Sequence, residues 1–380
     1  MTKARNIATL STVEVGATAD QTKADLNAIG VSGGRKNLIM NGGMQIAQRG
    51  STWTTSNGSL YTLDRWRAYE NATGNITVSH ETDSPDDFSS SLKVLVETAD
   101  ASISASEQVK VHQKIEAYNT AHLGFGTSSA KAITISFWVK SSLTGTFGCV
   151  VSNHNESRCY VKEYTINSAN TWEKKALTVS GDTSGTWENN SNTVSLQVIW
   201  SMGTGTDRES AADTWHSSSE FQTSNCTNLI GTAGATWQIT GVQLELGSVA
   251  TDFEHRSYGE ELALCQRYYV NNFNSGLYPG QTGVAMNGGA LAQRFNLTDR
   301  YVVLGEQYPV PMRASPSLSI YDRRGNINQM SQYNSSTTVV TVSGVSQGLS
   351  TTTVALYLDN NSGSGTDLPQ MFHYTADAEL

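Results

Sequence analysis

Apolar residues alternate with polar ones in a series of short segments between residues 37 and 256. Leu92, Val94 and Val96 are spaced in this way, and the same spacing recurs at residues 133–139 and 194–200. A period of two places every second side chain on the same side of a strand, so each segment predicts a strand with one buried face. Turn-forming residues separate the segments. About ten such strands, with no helical crossover between them, predict a two-sheet antiparallel sandwich.

The alternation changes phase once, near the end of this region. The apolar residues concerned are Trp237, Ile239, Val242, Leu244 and Leu246. One extra residue in a strand restores the inward face, and glycine tolerates the backbone that such an insertion requires. We therefore predict a β-bulge at Thr240 and Gly241.

The composition agrees with many short strands joined by polar turns. Hydrophobic residues make up 38% of the 380 residues and charged residues only 16%. The net charge is −9 and no basic run occurs, so no binding to nucleic acid is expected. No segment approaches the ~20 apolar residues of a membrane helix, so no membrane insertion is expected. The first ten residues lack the apolar core of a signal peptide, which predicts assembly in a cytoplasm.

Residues 1–36 differ from the rest and predict an attachment segment. Thr18 and Gln21 have the spacing of a capping box, and a short helix beginning there would end at Gly30. One short helix offers too little apolar surface to form a core of its own. We therefore expect this segment to dock on another chain or another protein.

The β pattern stops at residues 257–269, where Leu262, Cys265 and Tyr269 fall on one helical face. Glu at the start of this stretch and Arg near its end complement the helix dipole. It therefore predicts a connecting helix between a sandwich at residues 37–256 and a smaller β domain at residues 270–380.

No residue pattern predicts an enzyme, a metal site or a cofactor. The His residues are scattered, without a zinc-binding spacing. Residues 344–348 match the G-x-S-x-G string of a nucleophile elbow, but strand residues follow instead of a helix, which favours a hairpin. The acidic loop at residues 83–87 is interpreted as a solvated turn in preference to a calcium-binding loop.

The cysteines predict a reduced protein. Cys149 and Cys159 flank a turn at residues 153–155, so they would face each other across a hairpin. A disulfide between them is one interpretation, and two small apolar residues on facing strands is the favoured one.

Trp66 is expected to pack in the core from a strand. Asp64 would share its face and accept a hydrogen bond from the indole or from a nearby backbone donor. Arg65 and Arg67 would point the other way, into solvent.

Several stretches, taken together, resemble a known family. They are residues 37–49 (NLIMNGGMQIAQR), 63–66 (LDRW), 239–247 (ITGVQLELG), 250–254 (ATDFE), 260–269, 309–316 (PVPMRASP) and 17–25 (ATADQTKAD). The first two resemble the opening of jelly-roll, carbohydrate-module-like domains in bacteriophage tail fibres. The next three resemble the closing strand and following helix of those domains. The sixth is similar to the start of the β domain that often follows, and the last resembles the leader of marine cyanophage fibres.

The resemblance implies an all-β protein, with an antiparallel jelly-roll sandwich, a smaller β domain and a short N-terminal helical attachment segment. It implies a homotrimeric tail fibre or tail-tip adhesin of the virion, docked on other phage tail proteins through residues 1–36. Such a protein would attach the phage to host cell-surface polysaccharide. A purely structural tail or capsid-decoration protein is the first alternative, and a glycan-degrading tailspike ranks below it.

Glycan recognition is expected in residues 270–380, where tyrosines are dense and Arg and Asn occupy turns. Aromatic faces stack on sugar rings, and Arg and Asn hydrogen-bond hydroxyl groups. Turns at the end of a β domain are exposed and commonly carry binding groups. The predicted ligand-binding residues are Tyr321, Arg323, Arg324, Tyr278, Tyr333 and Tyr357. The alternative is that these tyrosines pack inside the domain or between protomers.

Overall fold

The structure, a computed structural model, describes residues 35–55, 57–274, 276–281, 290–294, 300–332, 339–347, 350–360 and 370–380. Asn37–Leu380 forms one compact unit, distinct from residues 1–36. The predicted capping box and helix at Thr18 to Gly30 lie outside the described residues. In the described part of the chain, the regular structure consists of twenty-one strands, one α-helix and four short 3-10 helices, so the protein is all-β. Within the same residues, no helix combines the length and apolarity needed to span a membrane.

One layer of a sandwich is a six-stranded antiparallel sheet within the described residues. In spatial order its strands are β1 (Thr52–Thr54), β4 (Asn75–Glu81), β5 (Ser91–Thr98), β13 (Thr236–Leu246), β7 (Ile133–Ser141) and β10 (Glu173–Val179). The last strand of the sandwich, β13, thus lies between β5 and β7 and pairs with both.

The opposite layer is a seven-stranded antiparallel sheet, again counted over the described residues. Its order is β12 (Trp215–His216), β9 (Cys159–Ile166), β8 (Gly145–Asn153), β11 (Val194–Thr204), β6 (Gln108–Glu116), β3 (Arg67–Glu70) and β2 (Gly58–Tyr61). The chain crosses repeatedly from one layer to the other, and this strand order is that of a jelly roll.

The core lies between the two sheets and is formed by the side chains that the strands direct inwards. Leu92, Val94 and Val96 are fully buried there, as their alternation predicted. Trp66 and Trp200 are also fully buried, with ring centroids 5.6 Å apart. The prediction that Trp66 packs in the core is confirmed.

The predicted bulge is present in β13. The pairing of β13 with β7 skips register between Thr240 and Gln243, and Gly241 has a φ of +61°. A Cβ on Gly241 would lie 2.5 Å from the ring of Phe88, so a larger residue would force that ring to move. Leu246 was predicted to face the core, but it is 42% exposed because it ends the strand beyond the edge of the core.

The stretch before β3 is a turn and not the strand expected around Trp66. Arg65 has a φ of +72°, and β3 begins only at Arg67. The turn directs the Arg65 side chain inwards, where the residue is only 2% exposed. The prediction of a solvated Arg65 is therefore wrong, and Arg67 is half-buried.

Asp64 is buried in this turn and accepts a hydrogen bond from the backbone N–H of Gln48 at 2.6 Å. This is a nearby backbone donor of the kind expected. The Trp66 indole instead donates to the carbonyl oxygen of Asn41 at 3.1 Å.

The two cysteines of the β8–β9 hairpin are free and buried. Cys149 pairs in register with Lys162 and faces the core, whereas Cys159 pairs with Ser152 and faces away from the core. They lie on opposite faces of the sheet, so they act as separate apolar residues and do not form a disulfide.

The rest of the chain adds a third antiparallel sheet. Its described strands are β14 (Tyr269–Asn271), β21 (Gln370–Asp377), β15 (Ala290–Arg294), β16 (Arg300–Gln307), β20 (Thr353–Asn360), β19 (Val339–Gln347) and β18 (Gln329–Gln332), with β17 (Ser317–Tyr321) paired to β21. Because β18 pairs both with β19 and with β21, these strands close into a ring. Ser346 of the G-x-S-x-G string lies inside β19, which pairs with β20, so it is not on an elbow.

The helix α1 (Tyr258–Gln266) connects the sandwich to this third sheet. It begins after Ser257, whose Oγ accepts the backbone N–H of Glu260 at 3.3 Å. It ends three residues earlier than predicted, since Tyr269 already belongs to β14. Cys265 is fully buried, whereas Leu262 is half-buried.

Buried charges join the third sheet to the sandwich. Glu379 pairs with Arg65, and the two side chains are 3% and 2% exposed. Arg49 pairs with Asp377 at 2.8 Å and with Glu379 at 3.1 Å. The guanidinium of Arg65 also lies 3.5 Å from the centroid of the Tyr268 ring.

Candidate functional site

The seven-stranded sheet has an outer face, directed away from the core, that carries a row of polar side chains. The valines of β6 face the core. Lys110, His112 and Lys114 occupy the alternate positions of the same strand, so they project outwards. In register, His112 lies opposite Arg67 of β3, and Lys114 lies opposite Gln197 of β11.

Residues 205–226, here called the cover, fold over part of this outer face. Phe221 of the cover is fully buried against an apolar cluster on the sheet, formed by Val150, Cys159, Val161 and Ile199. The Lys110 ammonium lies 4.0 Å from the centroid of the Phe221 ring. Ser219 of the cover donates a hydrogen bond to Glu156 at 2.9 Å.

A cleft of about 280 Å³ lies on the outer face beside the cover. It is lined by Arg67, Tyr69, Gln108, Lys110, His112, Lys114, His154, Asn155, Glu156 and Gln197. Every lining residue carries a polar side-chain group. Strands fix the positions of most of them, and the turn between β8 and β9 supplies the remaining wall.

Several polar atoms of the cleft are buried without a hydrogen-bonding partner among the described residues. They include both ring nitrogens of His112 and Oε1 of Gln197. His112 is 3% exposed and Gln197 is 2% exposed. The amide nitrogen of Gln197 donates to the carbonyl oxygens of Asn153 and His154, at 3.1 and 3.2 Å, which fixes its orientation. An unpaired buried polar group costs about 1–3 kcal/mol, so these atoms are suited to a partner from outside the chain.

Positive charge exceeds negative charge in the cleft. Lys110 pairs with Glu156 at 2.7 Å. Among the described residues, neither Arg67 nor Lys114 has a carboxylate within ion-pair distance; Arg67 instead donates to the hydroxyl of Ser59.

Burial and the neighbouring cations shift two pKa values in the cleft. Burial, together with Arg67, lowers the pKa of Lys114 to about 8. Burial also holds the pKa of His112 well below its usual range, and Lys110, Arg67 and Lys114 add to this effect. His112 is therefore neutral at pH 7, with one ring nitrogen able to donate and the other able to accept a hydrogen bond.

The groups that line the cleft are suited to binding a polar ligand. The half-buried ring of Tyr69 supplies an aromatic face, and the imidazole, amide and cationic groups supply hydrogen bonds. Among the lining residues Glu156 is the single carboxylate, and it is engaged by Lys110 and Ser219. Glycoside hydrolases generally use two carboxyl groups.

The structure brings several of the predicted ligand-binding residues to one turn of the third sheet. Tyr321 is half-buried at the end of β17, with its ring 5.9 Å from that of Phe273. Arg323 and Arg324 follow in the turn, half-buried and exposed. The buried carboxylate of Asp322 closes this turn by accepting the N–H groups of Arg324 and Asn326, both at 2.8 Å.

Of the remaining predicted ligand-binding residues, Tyr278 and Tyr357 belong to the described part of the chain. The segment carrying half-buried Tyr278 meets the same turn, since a Cβ on Gly325 would lie 2.4 Å from the Gly280 carbonyl oxygen. Tyr357 lies in β20, and Tyr333 lies outside the described residues. That these residues bind a ligand stays a prediction.

Sequence reasoning missed the cleft, although one signal for it exists. Lys110, His112 and Lys114 occupy alternate positions of one strand, which places three titratable side chains on its outer face. Such a row is common on solvated strands. The neighbouring strands β3 and β11 and the β8–β9 turn make it a cleft.

Among the residues that the structure describes, no group of three or more His, Cys, Asp or Glu is placed to hold a metal ion. Asp83 of the acidic loop pairs with Lys140, and this hydrogen bond lowers the pKa of the carboxyl.

No protein-family model matches the chain, and no curated protein matches its sequence. Similar solved structures include a phage tailspike domain and sugar-binding proteins. The enzymatically active domain of tailspike protein 4 of bacteriophage CBA120 matches 55% of this chain at 15% identity and a TM-score of 0.30, and this chain spans only 21% of it. A putative sugar binding protein from Bacteroides thetaiotaomicron VPI-5482 is covered completely, over 56% of this chain, at 13% identity and a TM-score of 0.34. A family 11 carbohydrate-binding module from Clostridium thermocellum, in complex with a mixed-linked tetrasaccharide, is covered completely over 53% of this chain, at 10% identity and a TM-score of 0.26. Likenesses this distant carry no conclusion about function.

Proposed function

We propose that this chain is a bacteriophage tail fibre or tail-tip adhesin, without catalytic activity, that binds host cell-surface glycan in the cleft of the seven-stranded sheet. The observation that carries the proposal is the set of buried, unpartnered polar atoms on His112 and Gln197. Sugar hydroxyl groups both donate and accept hydrogen bonds, so one sugar ring can satisfy these atoms together. The ring of Tyr69 adds the aromatic surface that sugar binding commonly uses.

The proposal extends to assembly. The chain acts as a homotrimer, docks on other tail proteins through residues 1–36, is assembled in the host cytoplasm and resides in the virion tail. The resemblance of residues 37–49 and 239–247 to phage fibres supports this. Three copies of a weak site on one particle gain avidity, because binding of the second copy is intramolecular.

We expect the oligomeric mass in solution to be three times the 41.0 kDa of one chain. Light scattering coupled to size-exclusion chromatography measures this mass directly. A monomer at micromolar concentration would contradict the trimer, and it would leave glycan binding by the cleft unaffected.

Replacing both His112 and Gln197 by Ala is expected to weaken glycan binding about tenfold, because each lost hydrogen bond contributes about 0.5–1.5 kcal/mol. A glycan array identifies the ligand, and calorimetry on its best ligand compares the variant with the unaltered chain. Circular dichroism and the unfolding midpoint check that the double variant is folded.

The matched control is the triple variant Tyr321→Ala, Arg323→Ala and Arg324→Ala, which removes the site predicted from the sequence. Binding in the cleft predicts that this variant binds like the unaltered chain, whereas the sequence-based prediction expects it to lose binding. Loss of binding in the triple variant, with binding kept in the double variant, would place recognition in the third sheet instead of the cleft.

The same preparation separates the alternative functions. An array on which the unaltered chain binds no glycan would favour a purely structural tail or decoration protein. Time-dependent release of reducing sugar from a bound polysaccharide would identify a glycan-degrading tailspike.

A further inference from the structure

We propose that the glycan bound in the cleft is acidic and that Arg67 and Lys114 bind its anionic group. This inference rests on the proposed function, because it concerns the ligand of the same cleft. The anionic group is a carboxylate, a phosphate or a sulfate carried by the sugar.

The charge balance of the cleft favours an anionic ligand. Glu156 neutralises Lys110, which leaves Arg67 and Lys114 without a counter-charge among the described lining residues. The whole chain carries a net charge of −9, so two neighbouring cations without a counter-charge stand out against its excess of acidic residues. Elsewhere on the sandwich, half-buried Arg158 is paired with Asp182 at 2.7 Å.

The geometry of Arg67 also favours an anionic ligand. Its guanidinium donates through Nη2 to the hydroxyl of Ser59 and lies 5.5 Å from the centroid of the Tyr61 ring. These contacts hold the side chain in place, while its Nε is buried without a partner among the described residues. A fixed guanidinium with a free donor is well suited to a carboxylate or phosphate.

The two cations lie beside the residues that carry the unpartnered polar atoms. His112 lies opposite Arg67 in register, and Gln197 lies opposite Lys114. The unpartnered atoms of His112 and Gln197 are therefore next to the unpaired charges. In a sugar that carries an acidic group beside free hydroxyls, the acidic group matches the two cations and the hydroxyls match the polar atoms of His112 and Gln197.

The test uses the full chain and an array that holds uronic-acid, phosphorylated and sulfated oligosaccharides with neutral oligosaccharides of matched backbone. Calorimetry then compares the best acidic probe with its neutral counterpart, and the uronic-acid and phosphorylated arms distinguish the sources of the charge. We expect the acidic probe to bind about tenfold more tightly, since charge-assisted hydrogen bonds are roughly twice as strong as neutral ones. The double variant Arg67→Gln and Lys114→Gln should lose this preference and keep binding to the neutral probe.

The control variant is Lys174→Gln, which removes an exposed cation from β10 in the other sheet and should leave the preference unchanged. Equal binding of neutral and acidic probes would overturn the acidic ligand and leave glycan binding intact. Binding to no glycan at all would overturn both proposals. Equally tight binding of a single-stranded oligonucleotide would overturn selective recognition of an acidic sugar.

The same calorimetry gives a pH profile as a second readout. Lys114 faces Arg67 of β3, Glu156 of the β8–β9 turn, Lys110 of β6 and Arg65, and its pKa is lowered to about 8. Its charge is lost as the pH rises through this value. Affinity for the acidic probe should therefore fall between about pH 7 and about pH 9.5, and the Lys114→Gln variant should lack this fall. A profile that is identical for the variant and the unaltered chain would contradict the role of Lys114.

Discussion

Replacing Glu379 by Ala is expected to lower the free energy of unfolding by about 3–5 kcal/mol, because Arg65 would stay buried without its partner charge. Arg65 and Glu379 are 2% and 3% exposed, so both charges are shielded from solvent in the folded chain. Two contacts of Arg65 remain in the variant: the Tyr268 ring at 3.5 Å and the Lys114 carbonyl oxygen at 2.6 Å. Neither of them carries a full negative charge.

Urea titration followed by tryptophan fluorescence measures this loss. The control is Glu81→Ala, which removes a partly exposed pair with Lys93 at 4.0 Å and should cost less than about 1 kcal/mol. The double variant Arg65→Met and Glu379→Leu should recover most of the stability, since apolar side chains can replace a buried ion pair. If Glu379→Ala costs no more than Glu81→Ala, the buried pair does not stabilise the junction.

The contacts between the third sheet and the sandwich also determine which experiment can locate the binding site. The third sheet and the sandwich share the buried pair of Arg65 with Glu379, and Arg313 bridges the carbonyl oxygens of Asn192 and Ala378, each at 2.8 Å. Separating residues 257–380 from the sandwich would expose these groups in both fragments. Point variants in the full chain therefore distinguish the cleft from the turn at Tyr321 more cleanly than fragments do.

The features of the fold that could be predicted from the sequence are local ones. The alternation at Leu92 to Val96 and the phase change at Thr240 and Gly241 depend only on the geometry of one strand, and both were predicted correctly. The turn at Arg65 was not, because its conformation is tied to a partner 314 positions later in the chain. The nearby Arg67 has the same alternating sequence pattern as Arg65, yet its side chain lies in a different environment.

The candidate site could not be predicted for a related reason. Lys110, His112 and Lys114 form an ordinary solvated row in the sequence, and tyrosines near Tyr321 offer a stronger local signal. His112 becomes buried because other parts of the chain surround it: β3, β11, and the turn that carries Glu156. That arrangement is set by strand order, which alternation does not reveal.

The cover should couple the stability of the sheet to binding in the cleft. Replacing Phe221 by Ala is expected to lower the free energy of unfolding by about 3–5 kcal/mol, because a fully buried ring would leave a cavity. The ring packs on Val150, Cys159, Val161 and Ile199, which would lose their apolar neighbour.

The same variant should also weaken glycan binding, whereas the loss of a buried ring elsewhere should not affect binding. Phe221 lies under the Lys110 ammonium at 4.0 Å, and Lys110 orients Glu156 at the wall of the cleft. Phe125→Ala is the control: its ring packs on Trp187 at 4.8 Å between centroids, away from the cleft, and its loss should also destabilise the fold. Calorimetry at a temperature where both variants are folded should show weaker binding for Phe221→Ala alone. If both variants bind as tightly as the unaltered chain, the cover stabilises the sheet without shaping the cleft, and the position of Lys110 is then fixed by β6 itself.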